Sequence, residues 1–115
     1  VNLFAKLRQF AWPFWLRSEQ PLSPLAAGVR ALDRGRTAEA LAFLDAAHLA
    51  ARTDAERAVI ENKRGVAYVQ RGDRAAALAA FSAALDADPR CVPALTNIGN
   101  LLLEDGALDE AIVHY

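Results

Sequence analysis

Residues 58–91 read AVIENKRGVAYVQRGDRAAALAAFSAALDADPRC, and this stretch decides the fold. Gly65 and Tyr68 stand three apart, and Gly72-Asp73 interrupts the apolar pattern. Ala77, Phe81 and Ala84 resume it at helical spacing until Asp88-Pro89. The pattern describes two amphipathic helices joined by a tight turn. A glycine at position 72 accepts the left-handed backbone that ends the first helix, and the Asp73 side chain can cap the second. A pair of this kind cannot bury its apolar face alone, so the neighbouring sequence should repeat it.

It does. Gly28, Gly65 and Gly99 are separated by 37 and 34 residues, and Gly35, Gly72 and Gly106 keep the same intervals. So do Ala40, Ala77 and Ala111. Three independent markers in one register define three units, about 21–54, 58–91 and 92–115. The three extra residues sit between the first two units and are expected to lengthen their connection by about a helical turn. Small residues inside each pair let two helices approach, while Leu44, Tyr68, Phe81 and Leu102 fill the space beside them.

Local signals place the helix ends. Ser23 can cap a first helix with Pro24 at its first position, where the missing amide hydrogen costs nothing. That helix carries Leu25, Gly28, Val29 and Leu32 and stops at Gly35. Thr37 is expected to cap a second helix running to about Ala51. Thr53-x2-Glu56 is a capping box opening the next helix, which ends near Arg71. Asp73 caps a fourth, and a fifth carries Leu95, Ile98, Gly99, Leu101 and Leu102 to Gly106. A last helix is expected from about Leu108 to Tyr115, leaving a C-terminal face expected to be either covered by another chain or frayed.

Residues 1–20 differ from the rest. They hold five of the nine aromatic residues, Phe4, Phe10, Trp12, Phe14 and Trp15. Leu3, Leu7, Phe10 and Phe14 recur at helical spacing, with Asn2, Lys6 and Gln9 on the other side. Lys6, Arg8 and Arg17 face no acidic residue in the first seventeen positions, although the whole chain carries only −1. Phe4, Leu7, Phe10, Trp12, Phe14 and Trp15 are therefore expected either to dock on the repeats or to touch a membrane surface. Docking is preferred, because three cations make a modest membrane anchor.

Residues 21–115 resemble the tetratricopeptide repeat family, most clearly in Ala94-Leu95-Thr96-Asn97-Ile98-Gly99-Asn100-Leu101-Leu102 with Gly106 and Glu110-Ala111. Glu61 and Arg64 depart from the family pattern, as do Ala31 for its tyrosine and Arg52 for its closing proline. The resemblance implies an all-α, right-handed superhelix of about three helix-turn-helix repeats, the last one truncated, preceded by an aromatic helical segment. It also implies a concave groove lined by the first helix of each unit. Carried over position by position, the lining is Leu25, Val29, Leu32 and Asp33 from the first unit. Val59, Asn62, Lys63, Val66, Val69 and Gln70 come from the second, and Thr96, Asn97, Asn100, Leu103 and Glu104 from the third. Family members mostly bind peptides or helices there. One branch clamps a terminal carboxylate, but Val66 and Asn62 stand where that clamp needs asparagine and lysine.

The residues offer little chemistry. His48 and His114 lie in different units and are read as structural or solvated. One cysteine and two histidines are too few for a metal centre. Cys91 is read as a small buried apolar residue, and the glycines follow the repeat rather than a phosphate loop. The net charge gives no field for nucleic acid. The expectation is a non-enzymatic, cytoplasmic interaction scaffold without cofactor, binding a protein or peptide partner. Self-association through residues 1–20 or the C-terminal face is a further expectation. The alternatives are a peripheral membrane adaptor using the N-terminus and a fragment of a larger enzyme or complex.

Overall fold

The computed structural model describes residues 21–104, within which every regular element is a helix: α1 (Pro24–Asp33), α2 (Thr37–Ala50), α3 (Asp54–Arg71), α4 (Arg74–Ala87) and α5 (Val92–Glu104). The expected docking residues of the N-terminus and the last helix, with Gly106, lie outside the described residues.

The helix starts follow local capping chemistry. Ser23 Oγ accepts from the Ala26 amide at 3.2 Å, with Pro24 in the first turn. Thr53 Oγ1 accepts from Glu56 N at 3.1 Å, and Asp73 Oδ1 from Ala76 N at 3.1 Å. The Glu56 carboxylate returns to Arg52 N at 2.9 Å, one residue earlier than a capping box prescribes. Thr37 departs from expectation. It is the first residue of α2 behind Arg36, which makes no side-chain cap. Its hydroxyl instead donates to Gln70 Oε1 on α3 at 3.1 Å.

The turns inside the two units are the same turn. Gly35 has φ 69° and Gly72 φ 80°. Arg36 N donates to Ala31 O and Gly35 N to Leu32 O, just as Asp73 N donates to Tyr68 O and Gly72 N to Val69 O. This is the paired hydrogen-bond pattern of a Schellman ending, which needs a left-handed residue at the glycine.

The three extra residues do not lengthen the connection. The link between α2 and α3 is Ala51–Thr53, one residue shorter than Asp88–Cys91 between α4 and α5. Helix α3 instead begins eleven residues before Gly65, whereas α5 begins seven before Gly99. An added helical turn satisfies its own backbone hydrogen bonds, which an added loop does not. That turn, residues 54–57, leads into Ala58, which is buried to 2% exposure.

Each pair closes on its glycine. A Cβ at Gly28 would sit 2.9 Å from Leu44 Cγ, and one at Gly65 would overlap the Phe81 ring. Leu44 and Phe81 are the two large side chains with no exposure at all. They anchor two apolar clusters. The smaller joins Ala31, Leu32, Ala40 and Leu44 to Ala67 of α3. The larger joins Ala58, Ala77, Phe81 and Ala84 to Cys91, Ala94, Ile98 and Leu101. Val66 packs against both, so α3 is the shared wall.

Candidate binding groove

Helices α1, α3 and α5, the first helix of each unit, lie side by side and are tied by side chains from the expected groove. Gln70 Nε2 donates to the Leu32 carbonyl at 3.1 Å, at the end of α1, while its Oε1 receives Thr37. Asn97 Nδ2 donates to Asn62 Oδ1 at 2.9 Å, and Asn62 is 6% exposed. Leu32 is equally buried. The structure thus places Leu32, Asn62 and Gln70 in contacts between units, with Asn97 shared between such a contact and a hollow.

That hollow, a cavity of about 170 Å³, opens between α3 and α5. Val66 and Val69 of α3 meet Asn97, Asn100 and Glu104 of α5, all five expected as groove residues. Phe81 and Leu101 complete the lining, and neither was among the expected set. Leu101 had a signal in the sequence. Positions 97, 100, 101 and 104 follow one another at helical intervals of three, one and three, so they share a face. Phe81 had none, since its role as the anchor of a core conceals that its ring also meets the hollow. The lining is apolar below, with two amides and one carboxylate added by α5.

Leu25 and Val29 do not join this cavity. They line a separate, shallower one of about 490 Å³ with Leu22, Ser23, Ala26, Arg30 and Asp33. Val59, Val69 and Leu103 expose apolar surface on α3 and α5, each above two-fifths. Lys63 and Thr96 are half-buried and line neither cavity.

A polar cluster ties α2 to α3. Arg64 Nη1 donates to Glu61 Oε1 at 2.9 Å, and its Nη2 meets Asp45 Oδ1 at 3.2 Å. His48 Nδ1 lies 3.0 Å from the same Glu61 oxygen. Glu61 is buried, so its charge depends on these partners. Burial opposes the charge of Arg64, but the hydrogen bond and charge of Glu61, with Asp45 and Tyr68, outweigh it and hold its pKa above the usual arginine value. Glu61 and Arg64, which break the family's apolar pattern, are therefore a built contact between the first two units. His48 is structural in the same contact.

Among the described residues no cluster of His, Cys, Asp and Glu is arranged to hold a metal ion, and no helix is long and apolar enough to cross a membrane. Cys91 is a free, buried thiol within the larger cluster.

Comparison with curated proteins and with solved structures found no match. A family model described as tetratricopeptide repeat matches residues 62–115, from the middle of α3 onward. Its span takes in α5 as well as the Gly65–Phe81 contact and the Gly72 turn, two features that the first unit repeats 37 residues earlier as Gly28–Leu44 and Gly35. Residues 62–115 are thus similar to the tetratricopeptide repeat family, and the stacked helix pairs of the described residues have the helix-turn-helix form of such repeats.

Proposed function

We propose that this chain binds an extended segment or helix of a partner protein on the face shared by α3 and α5. Tetratricopeptide repeats generally mediate protein–protein interaction, and the family is typically a non-enzymatic scaffold. The observation that carries the reading is the cavity between those helices. Its apolar floor of Val66, Val69, Phe81 and Leu101 suits one apolar side chain. Asn100 and the Glu104 carboxylate stand at positions that can orient a peptide backbone or a neighbouring cation. Val59 and Leu103 add exposed apolar surface on the same two helices.

Selection of a phage-displayed peptide library on the full chain tests this. Enriched peptides should share an apolar anchor and shift the amide resonances of α3 and α5. Val69→Glu puts a charge beside the floor at a 41%-exposed position, so folding should survive while affinity falls by at least about tenfold. Peptides that bind Val69→Glu as tightly as the parent, or that map to α2 and α4, would overturn the reading.

A further inference from the structure

Two crevices in this structure are one crevice in successive units. The second unit's is about 240 Å³ and is lined by Glu61, Arg64, Tyr68, Ala76, Ala79 and Ala80. The first unit's is about 280 Å³, and its lining includes Ala27, Ala31, Glu39 and Phe43. Those four stand 37 residues before Arg64, Tyr68, Ala76 and Ala80, the interval from Gly28 to Gly65. At the second crevice lies α2, reaching Arg64 through Asp45 and Glu61 through His48. At the first, no described helix precedes α1, and Leu22 and Phe43 are 49% and 42% exposed.

Moving α2 back by the same 37 residues lands on the start of the chain, up to residue 13. The match is by side-chain type as well as length. Ala40, Leu44 and Ala47, the buried residues of α2, fall on Leu3, Leu7 and Phe10. Half-buried Leu41 falls on Phe4. Glu39, Phe43 and Ala46, all exposed, fall on Asn2, Lys6 and Gln9, the polar side of that stretch. The apolar stripe of the N-terminus thus has the phase of a helix that packs as α2 packs.

We propose that residues 1–13 dock in cis on the first unit as α2 docks on α3, an added half-repeat that covers Ala27 and the crevice beside Phe43. Residues 14–23 are the tether, and they end at Leu22 and Ser23 on the rim of the face to be covered. A tether this short keeps the segment at a high effective concentration there. Charge does not drive the contact, since Arg30, Arg34 and Arg36 outnumber Glu39 on the crevice that Arg8 would meet. Apolar burial and guanidinium planes stacked on aromatic rings hold it instead. Added salt should therefore leave it unweakened.

The Asp45–Arg64 contact carries back to Arg8 opposite Ala27. In the full chain with Cys91→Ala, the pair Arg8→Cys and Ala27→Cys is treated with a short bis-maleimide, because an arginine-to-aspartate spacing exceeds what a disulfide bridges. Gln9→Cys with Ala27→Cys, from the polar side, is the control. An intramolecular link forming about tenfold faster in the first pair is expected, and adding Leu7→Asp should abolish the difference. Equal rates in the two pairs would overturn the proposal, as would a preference that survives Leu7→Asp. Covalent dimers would assign the face to a second copy instead. Flotation of the full chain with phosphatidylserine vesicles would assign the segment to a lipid surface, which also overturns docking in cis.

Discussion

The two junctions of this structure join equivalent helices by different means. Between the first and second units, α2 meets α3 through Asp45, His48, Glu61 and Arg64, and Gln70 reaches back to Thr37 and the Leu32 carbonyl. Between the second and third, the cluster around Phe81 runs without interruption through Cys91, Ala94, Ile98 and Leu101, with the Asn97–Asn62 amide pair and a hydrogen bond from Arg74 Nη2 to the Leu101 carbonyl at 2.7 Å beside it. Ion pairs and hydrogen bonds are directional, so the first junction tolerates one alignment of the helices. Apolar burial is not directional, so the second depends on filled volume. Tetratricopeptide stacking accepts either solution, because the repeat geometry needs only a matched face between units.

The largest effect should come from the apolar junction. Phe81→Ala removes the anchor of the larger cluster and should cost about 3–5 kcal/mol in urea unfolding, with loss of α5 protection in hydrogen exchange. Leu44→Ala in the smaller cluster should cost less, at the lower end of about 2–5 kcal/mol. A greater cost at Leu44 would reverse the ranking of the two cores.

The polar junction should fail differently. Arg64→Ala leaves Glu61 buried beside His48 alone and should destabilise by about 1–3 kcal/mol. Replacing both, as Glu61→Leu with Arg64→Met, should be nearly neutral or stabilising, since no buried charge is then left unpaired. A double variant as damaged as the single one would mean that the cluster supplies net stability rather than alignment.

The glycine contacts grade the tightness of the two pairs. Gly65→Ala must displace the Phe81 ring, which its Cβ would overlap, and should cost about 1–3 kcal/mol, while Gly28→Ala meets Leu44 Cγ at 2.9 Å and should cost less. In a Phe81→Leu background the penalty at Gly65 should shrink. The turn glycines should show no such contrast. Gly35→Ala and Gly72→Ala each force a Cβ into a left-handed backbone with no neighbour within 4 Å, so each should cost about 1–2 kcal/mol. Unequal losses would show that the two turns differ in more than sequence.

The smallest expected effect is a pH dependence that stays flat. Arg64 has its pKa raised on folding, so its contribution is complete below the unfolded value and is lost only as pH rises through the folded one. The stability gap between the parent and Arg64→Met should therefore be constant from about pH 7.5 to 9, a window chosen to avoid histidine and tyrosine titration. A gap that closes within it would assign the junction's charge to another group.

By itself the sequence determined where the helices begin and end and how they repeat. Ser23, Thr53, Asp73, Gly35 and Gly72 act within about five residues of chain, and the glycine and alanine register repeats at a fixed interval, so both can be read without a partner in view. Only the tertiary structure decided that Thr37 serves Gln70 rather than its own helix. The same holds for the added helical turn in α3 and for Asn62 and Gln70 as ties between units. It also turned Glu61 and Arg64 from departures into a junction. Each of these depends on groups brought together across many residues of chain, and no local propensity encodes which of two available partners a side chain finds once the units are stacked. Residues 58–91 are the clearest case. Their turn and caps were legible one residue at a time, while α3 became the wall shared by two cores only when Val66 and Ala67 met what lay on either side.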